Sequence, residues 1–290
     1  MATYLITQAT GQQSQWVVRH LLSAGTKVHA MVRNLQKVPP ILQSLGVTLF
    51  QGESKNFEDI FRAAQGCKGV FLNNFPLPGL EALQARTVIE ACEKAGVETI
   101  VASTTFCVNH KAMWDDDGTK EIQLHHHFAS KAAVEDLVRG SSFQAYTILR
   151  PAVIHHEYFL PGSPHNFPRL ASHRELDDLL NEGARVPHTD GHDVGKYAAA
   201  ALQDPTKFCG QEIDLTNEEV RTIKRTPAEL EKMGISVFGQ KFHLWANIKD
   251  FRSLIAANNK VLAKFGIPLT SLEAALQRDK ALLLERLPAK

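Results

Sequence analysis

Along the first 150 residues, short apolar runs alternate with stretches in which apolar positions return every three or four residues. Residues 4–7, 27–33, 47–52, 69–74, 99–103 and 145–150 are β-prone, and residues 16–22, 56–64, 80–95 and 128–139 carry helical spacing. Asn56 suits an N-cap, and Gly96 suits a helix end. Strands alternating with helices at such short intervals predict an α/β chain with a doubly wound parallel sheet. Further on, the pattern predicts helices over 192–203, 226–233, 248–265 and 270–287, and a strand over 211–215. Residues 109–123, with Trp114-Asp115-Asp116-Asp117-Gly118, read as a surface loop whose aspartates are solvated. Residues 155–185 carry Pro161, Pro164 and Pro168 and no clean period; a stretch this long without a pattern is usually functional.

The first eighteen residues organise the rest. A short strand runs into the polar turn Gln8-Ala9-Thr10-Gly11-Gln12-Gln13-Ser14, and a helix follows at once. Strand, turn and helix in this order begin a Rossmann-type dinucleotide-binding unit, in which helix-start N–H groups and the helix dipole hold a diphosphate. Three glycines are expected, at positions 8, 11 and 14; the chain has Gln8, Gly11 and Ser14. Gly11 is the one that lets backbone approach phosphate. Thr10, Gly11, Gln12 and Gln13 are therefore the candidate diphosphate binders. A turn of the same shape that holds no nucleotide is the competing reading.

Length and composition narrow the class. The chain has 290 residues, a formal net charge of +1 and 44% hydrophobic residues, enough for one large core or a main domain with a smaller lobe. The near-neutral balance gives no footprint for nucleic acid or an anionic membrane. No apolar run reaches the length of a membrane span, and the N-terminus enters a strand almost at once, which predicts no signal peptide. Cys67, Cys92, Cys107 and Cys209 are too scattered for metal spacing and read as buried or free thiols. A cytoplasmic protein is expected. His125-His126-His127 point in different directions on a helix and do not chelate one ion; no metal is expected.

Several segments together resemble one family. They are Ala9-Thr10-Gly11, Arg33 after the second strand, Gly69-Val70-Phe71-Leu72, His127-Phe128-Ala129-Ser130-Lys131, Tyr146-Thr147-Ile148-Leu149-Arg150-Pro151, and His192-Asp193-Val194-Gly195-Lys196 running into Asp204-Pro205. In order and spacing the chain resembles an NmrA-like protein, an atypical branch of the short-chain dehydrogenase/reductase superfamily. The resemblance implies a Rossmann domain, taken as 1–152, a smaller C-terminal α/β lobe with interleaved core elements, taken as 153–290, and a cleft between them. It also implies NADP(H) more often than NAD(H).

Arg33, at the end of the second strand, faces the expected adenosine ribose. A guanidinium there pairs with a 2′-phosphate, and no acid stands nearby to take a free 2′-hydroxyl. A solvated strand-end arginine is the plainer alternative. Asn73 and Phe75 end the fourth strand, where the resemblance places ribose and nicotinamide. His127 and Lys131, four apart, share a helix face. The resemblance puts them where the superfamily carries its working tyrosine and lysine, with histidine in the tyrosine's place. In related aromatic-ether and isoflavone reductases this lysine alone is the proposed acid–base, so Lys131 leads as catalytic candidate and cofactor contact. His127 follows as an imidazole acid–base, and Thr104, among the hydroxyls of Ser103, Thr104 and Thr105, as carbonyl polariser. His155, His156 and Tyr158 open the irregular segment and are expected to wall a pocket for a flat, aromatic or polyketide-like substrate.

Three functions follow. The first is an NADP(H)-dependent reductase of a small carbonyl-bearing or conjugated metabolite. The second is an NADP(H)-sensing regulator with a protein partner and no turnover. The third is a cofactor-independent isomerase or cyclase using the same cleft.

Overall fold

The computed structural model describes residues 1–77, 79–155, 177–178, 180–181, 186–220, 223–224 and 237–286. The predicted helix over 226–233 lies outside them. The chain divides into two compact units. Unit 1 comprises residues 1–109, 126–150 and 192–214; unit 2 comprises 110–125, 151–191 and 215–290.

Unit 1 holds the sheet. Its strands are β1 (Thr3–Ile6), β2 (Lys27–Val32), β3 (Val47–Gln51), β4 (Gly69–Leu72), β5 (Thr99–Ser103) and β6 (Ala145–Pro151). After β7 (Val153–Ile154), β8 (Asp177–Asp178) and β9 (Val186–Thr189), β10 (Gln211–Leu215) returns to the same sheet at its edge. The order is β10-β6-β5-β4-β1-β2-β3, and every pair from β3 through β6 is parallel. The order reverses between β1 and β4, so the carboxyl ends of these two strands frame the crevice where ligands bind in such sheets.

Five helices belong to this sheet. They are α1 (Gln12–Ser23), α2 (Phe57–Ala64), α3 (Leu80–Lys94), α5 (His125–Arg139) and, after the short α4 (Asp117–Glu121), α6 (Gly191–Gln203). Alternation along each strand sorts the side chains between two faces. Leu5, Val70, Leu72, Ile100, Ala102 and Ile148 meet Ile60 and Ala64 of α2, Val88 and Cys92 of α3, and Val134 and Val138 of α5 in one core. Each such buried aliphatic side chain contributes about 1.5–3 kcal/mol. On the other face, α6 lies over Gly69, where a Cβ would stand 2.8 Å from Leu202 Cδ2. α6 also meets α1 almost backbone to backbone: a Cβ on Gly195 would fall 2.5 Å from Trp16 Cβ and 2.8 Å from Val17 N. The Gly195 segment thus matches the family pattern for a packing reason.

Asn56 caps α2 as expected, accepting the Asp59 N–H at 3.3 Å. α5 begins three residues earlier than predicted, so the three histidines form its first turn. The thiols of Cys67, Cys92 and Cys107 are buried and that of Cys209 exposed, all unbridged.

A buried charge cluster ties α5 to the sheet edge. Arg150, 2% exposed, grips Glu135 through two hydrogen bonds of 2.8 Å and also pairs with Glu212; its Nη1 lies 3.6 Å from Asp214. Arg139 donates to Glu212 at 2.7 and 3.0 Å, and these bonds hold the Glu212 carboxyl below its ordinary range. Bidentate geometry and full pairing are what make buried charge tolerable here.

Unit 2 carries a small sheet in the order β11 (Asn217–Val220), β9, β7. β8 pairs in parallel with β12 (Ile223–Lys224). Its helices are α8 (Val237–Ile248), α9 (Arg252–Ala263) and α10 (Leu272–Arg286), α7 (Pro205–Phe208) being a single turn of unit 1. The predicted helix over 248–265 is α9, which starts four residues later; α8, which ends at Ile248, is not among the predicted helices, and the two are parted at Asp250-Phe251, where Asp250 accepts the Arg252 N–H at 3.0 Å and Phe251 is buried. The loop expected over 109–123 also needs correction. Residues 117–121 form α4, Asp116 caps it by accepting the Thr119 N–H at 2.8 Å and pairs with Lys249, and Trp114 is buried. That aspartate is held by structure. No helix among the described residues is long and apolar enough to cross a membrane.

Arg150→Met leaves the buried Glu135 carboxylate without its bidentate partner, with only the more exposed Arg139 still paired to it. A loss of about 3–5 kcal/mol is expected, read as a lowered urea midpoint; an unchanged midpoint would show that the cluster contributes little.

Candidate active site

The turn after β1 keeps its shape despite two missing glycines. Gln8 adopts φ +47°, the left-handed conformation that glycine takes freely, at a cost of about 1–2 kcal/mol for a side-chain-bearing residue. The Gly11 N–H closes the turn onto Gln8 O at 2.8 Å. Gly11 itself is extended, so it serves by its size: a Cβ there would crowd Gln8 O at 3.1 Å. Ser14 replaces the third glycine with a bonded pin. Its buried hydroxyl donates to Thr7 O at 3.0 Å and accepts from Asn73 Nδ2 at 3.2 Å. Thr7 Oγ1 accepts the Asn73 N–H at 2.8 Å. β1, α1 and the end of β4 are thus locked together at the switch point.

α1 starts without a side-chain cap and without an acid in its first turn. Its first N–H groups and positive dipole end carry no carboxylate to neutralise them. Gln15 Nε2 reaches back to Thr10 O at 2.8 Å, and Gln13 Oε1 accepts from the Ser103 hydroxyl at 2.8 Å. Ser103 is thereby brought from the end of β5 to the start of α1. Beside the turn, the Arg33 guanidinium lies over the Phe75 ring, 6.0 Å from its centre. Phe75 is 44% exposed, and its backbone N–H is fixed by Gln84 Oε1 at 3.0 Å. Gln12 lies, partly exposed, in the first turn of α1. The expected diphosphate, ribose and adenosine contacts therefore all sit at the carboxyl end of this one sheet, within unit 1.

Lys131 is buried. Its Nζ stands 2.5 Å from Glu81 Oε1, and Glu81, in the first turn of α3, is buried too. The contact is a buried ion pair. His127 lies one turn earlier on α5. Burial first, and then the Lys131 ammonium, push its imidazole down to about 3. The ring is neutral at physiological pH, so an imidazolium acid, expected from the residue type alone, is absent from the ground state. The Thr104 hydroxyl donates to Glu135 at 2.7 Å inside the charge cluster.

In unit 2, His155 is 4% exposed and its ring centre lies 5.9 Å from that of His188. His156 and Tyr158 lie outside the described residues. His188, Thr189 and Asp190 form a buried polar row at the end of β9. Thr189 Oγ1 accepts the Ala152 N–H at 2.8 Å, and Asp190 receives Arg278 at 2.6 and 3.2 Å. Sequence reasoning missed this row because it abuts the patternless stretch. It missed Glu81 because an acid early in a helix is ordinary.

Comparison with known proteins places this geometry. The model of the NmrA-like family matches residues 2–225. A 2-alkyl-3-oxoalkanoate reductase of Shewanella oneidensis is 28% identical over a 249-residue alignment that covers 76% of this chain and 63% of that reductase, under two thirds of its length. Among solved structures, the NADPH-dependent quinone oxidoreductase of Escherichia coli complexed with NADPH superimposes with a TM-score of 0.70 at 19% identity, over 95% of this chain and 99% of that one. NmrA, a negative transcriptional regulator in complex with NAD, gives 0.63 at 19% identity, over 84% and 81%. With the sheet order, the Gly11 turn and the Gly195 contact already in place, the match over most of its length shows that the chain belongs to the NmrA-like family.

Proposed function

We propose that the chain binds NADP(H) at the turn after β1 and reduces a small carbonyl-bearing or conjugated compound, with Lys131 giving the proton. The observation that carries this reading is the start of α1: bare of cap and acid, with Gly11 leaving room for a close approach and Arg33 standing where a 2′-phosphate would be met. The residues present fit the group. Thr10, Gly11, Gln12 and Gln13 would hold the diphosphate, Arg33 the adenosine end, and Asn73 and Lys131 the nicotinamide ribose; Phe75, expected along the ribose and nicotinamide, lies against Arg33 and would join the adenosine end instead. When bound, the dinucleotide supplies a hydride. Both reductases named above act, by their names, on carbonyl or quinone compounds, which supports the substrate class. His155 remains a proposed substrate contact.

Lys131 is the acid of choice because it is the ammonium on this helix face. Its neighbour His127, whose ring burial keeps neutral, is not the proton source. That same neutrality favours a second reading, a dinucleotide-sensing regulator, because it departs from the tyrosine–lysine pair of turning-over relatives.

Calorimetry with NADPH tests the first reading. Micromolar binding is expected, with roughly 10- to 100-fold loss in Arg33→Glu. Turnover of a 1,4-benzoquinone should fall at least about 100-fold in Lys131→Ala. A sample that takes up no NADPH sinks the proposal, and catalysis by nucleotide-stripped protein points to the isomerase. Tight binding with no turnover of any acceptor supports the regulator.

His127 also makes stability depend on pH. Its folded value near 3 lies below the ordinary 6.5, so the unfolded chain binds the extra proton between those limits. Stability is then full above about pH 6.5 and falls as the pH drops toward 3, by at most about 1.4 kcal/mol per pH unit for this group. His127→Gln should lessen the drop in urea midpoint between pH 7.5 and pH 5 while retaining turnover within about threefold of wild type. A drop equal to wild type contradicts the assignment.

A further inference from the structure

The helix that carries Lys131 sorts its buried charges in an unexpected way. Glu135 lies one turn beyond Lys131, the spacing at which opposite charges on a helix pair. Among the described ion pairs they do not pair. Glu135 turns to Arg150 and Arg139, while Lys131 reaches across to Glu81 on α3. Since Glu135 already anchors α5 to the sheet, the Glu81 contact is not needed for that purpose.

Glu81 is itself held from several sides. Gly79, at φ +77°, lets the chain turn into α3. Asn74 Nδ2 donates to the Glu81 carbonyl at 3.2 Å, and Gln84, one turn later, accepts the Phe75 N–H. The first turn of a helix favours an anion. The loop that ends β4, where cofactor contacts are proposed, therefore also fixes the backbone that carries the carboxylate meeting Lys131. Nothing else among the described residues pairs with that ammonium.

We propose that Glu81 is a positioning residue for Lys131, pairing with the buried ammonium and fixing where its Nζ stands. This rests on Lys131 being the proton donor proposed above. Lys131 gives one N–H proton to a substrate oxygen, and the neutral amine left beside the Glu81 carboxylate regains a proton from water. Without the carboxylate, a buried ammonium is costly, and the side chain is released from its place and becomes open to reagent.

The test is lysine acetylation of the nucleotide-free protein with an N-hydroxysuccinimide ester, followed by peptide mass spectrometry, because only free amine reacts. In Glu81→Gln, Lys131 should label at least about tenfold faster, with exposed Lys68 unchanged as reference. In Glu81→Asp, which retains the charge on a shorter stem, the rise should be about two- to threefold. Turnover of a benzoquinone with NADPH should fall about tenfold in Glu81→Gln and recover most of the way in Glu81→Asp, with NADPH affinity within about twofold throughout. Unchanged Lys131 labelling overturns the proposal. So does faster labelling with full turnover, which marks a merely structural pair. If Glu81→Gln does not fold, seen as even labelling of every lysine, Glu81→Asp carries the test, and no rise at Lys131 there overturns it. A wild type that takes up no NADPH, or a Lys131→Ala variant with full turnover, defeats the reductase reading instead, and the labelling result stands apart from it.

Discussion

A hydrogen-bonded triangle underlies the rest of the site: Thr7 at the end of β1, Ser14 inside α1 and Asn73 at the end of β4. A parallel sheet must send its chain from strand to helix at one edge, and the two elements that diverge there have no ladder to hold them. In this chain three small polar side chains supply that connection. Because they do, the turn tolerates a glutamine in a left-handed conformation and a serine where glycine is expected. The helix start is left uncapped, and its open amides are the fixed partial charges on which an anion can settle.

Much of the fold is legible in the chain because it rests on periodicity. Runs such as residues 69–72 and 100–102 are apolar throughout since both faces of the sheet are covered, and that signal survives any local substitution. The Asn56 cap and the Gly96 stop are legible for the same local reason. Periodicity fails where tertiary partners decide. Asp116 looks solvated in a row of three acids, yet it caps α4 and meets Lys249, a residue distant in sequence. The break at Asp250-Phe251 carries no glycine or proline to announce it.

The site divides along the same line. Strand ends fall on one edge of the sheet by topology alone, so Gly11, Arg33 and Asn73 are found by counting strands. What each side chain does there is set by a neighbour the sequence does not name. Thr104 is drawn into the Glu135 cluster, His127 is discharged by burial beside Lys131, and Lys131 is met by Glu81. Burial and partner, not residue type, choose the chemistry.

The glycine at 195 has a bearing on how such a chain can diversify. Its hydrogen fills the last space against Trp16, which leaves the place where the chain re-enters the sheet unit without tolerance for growth. The departure point is equally rigid, because Arg150 is clamped before the strand ends at Pro151. One of these two moorings is set by the absence of a side chain and the other by paired charge, so a larger residue at 195 and an uncharged one at 150 would disturb the same sheet unit by opposite routes, crowding in the first case and an unbalanced carboxylate in the second.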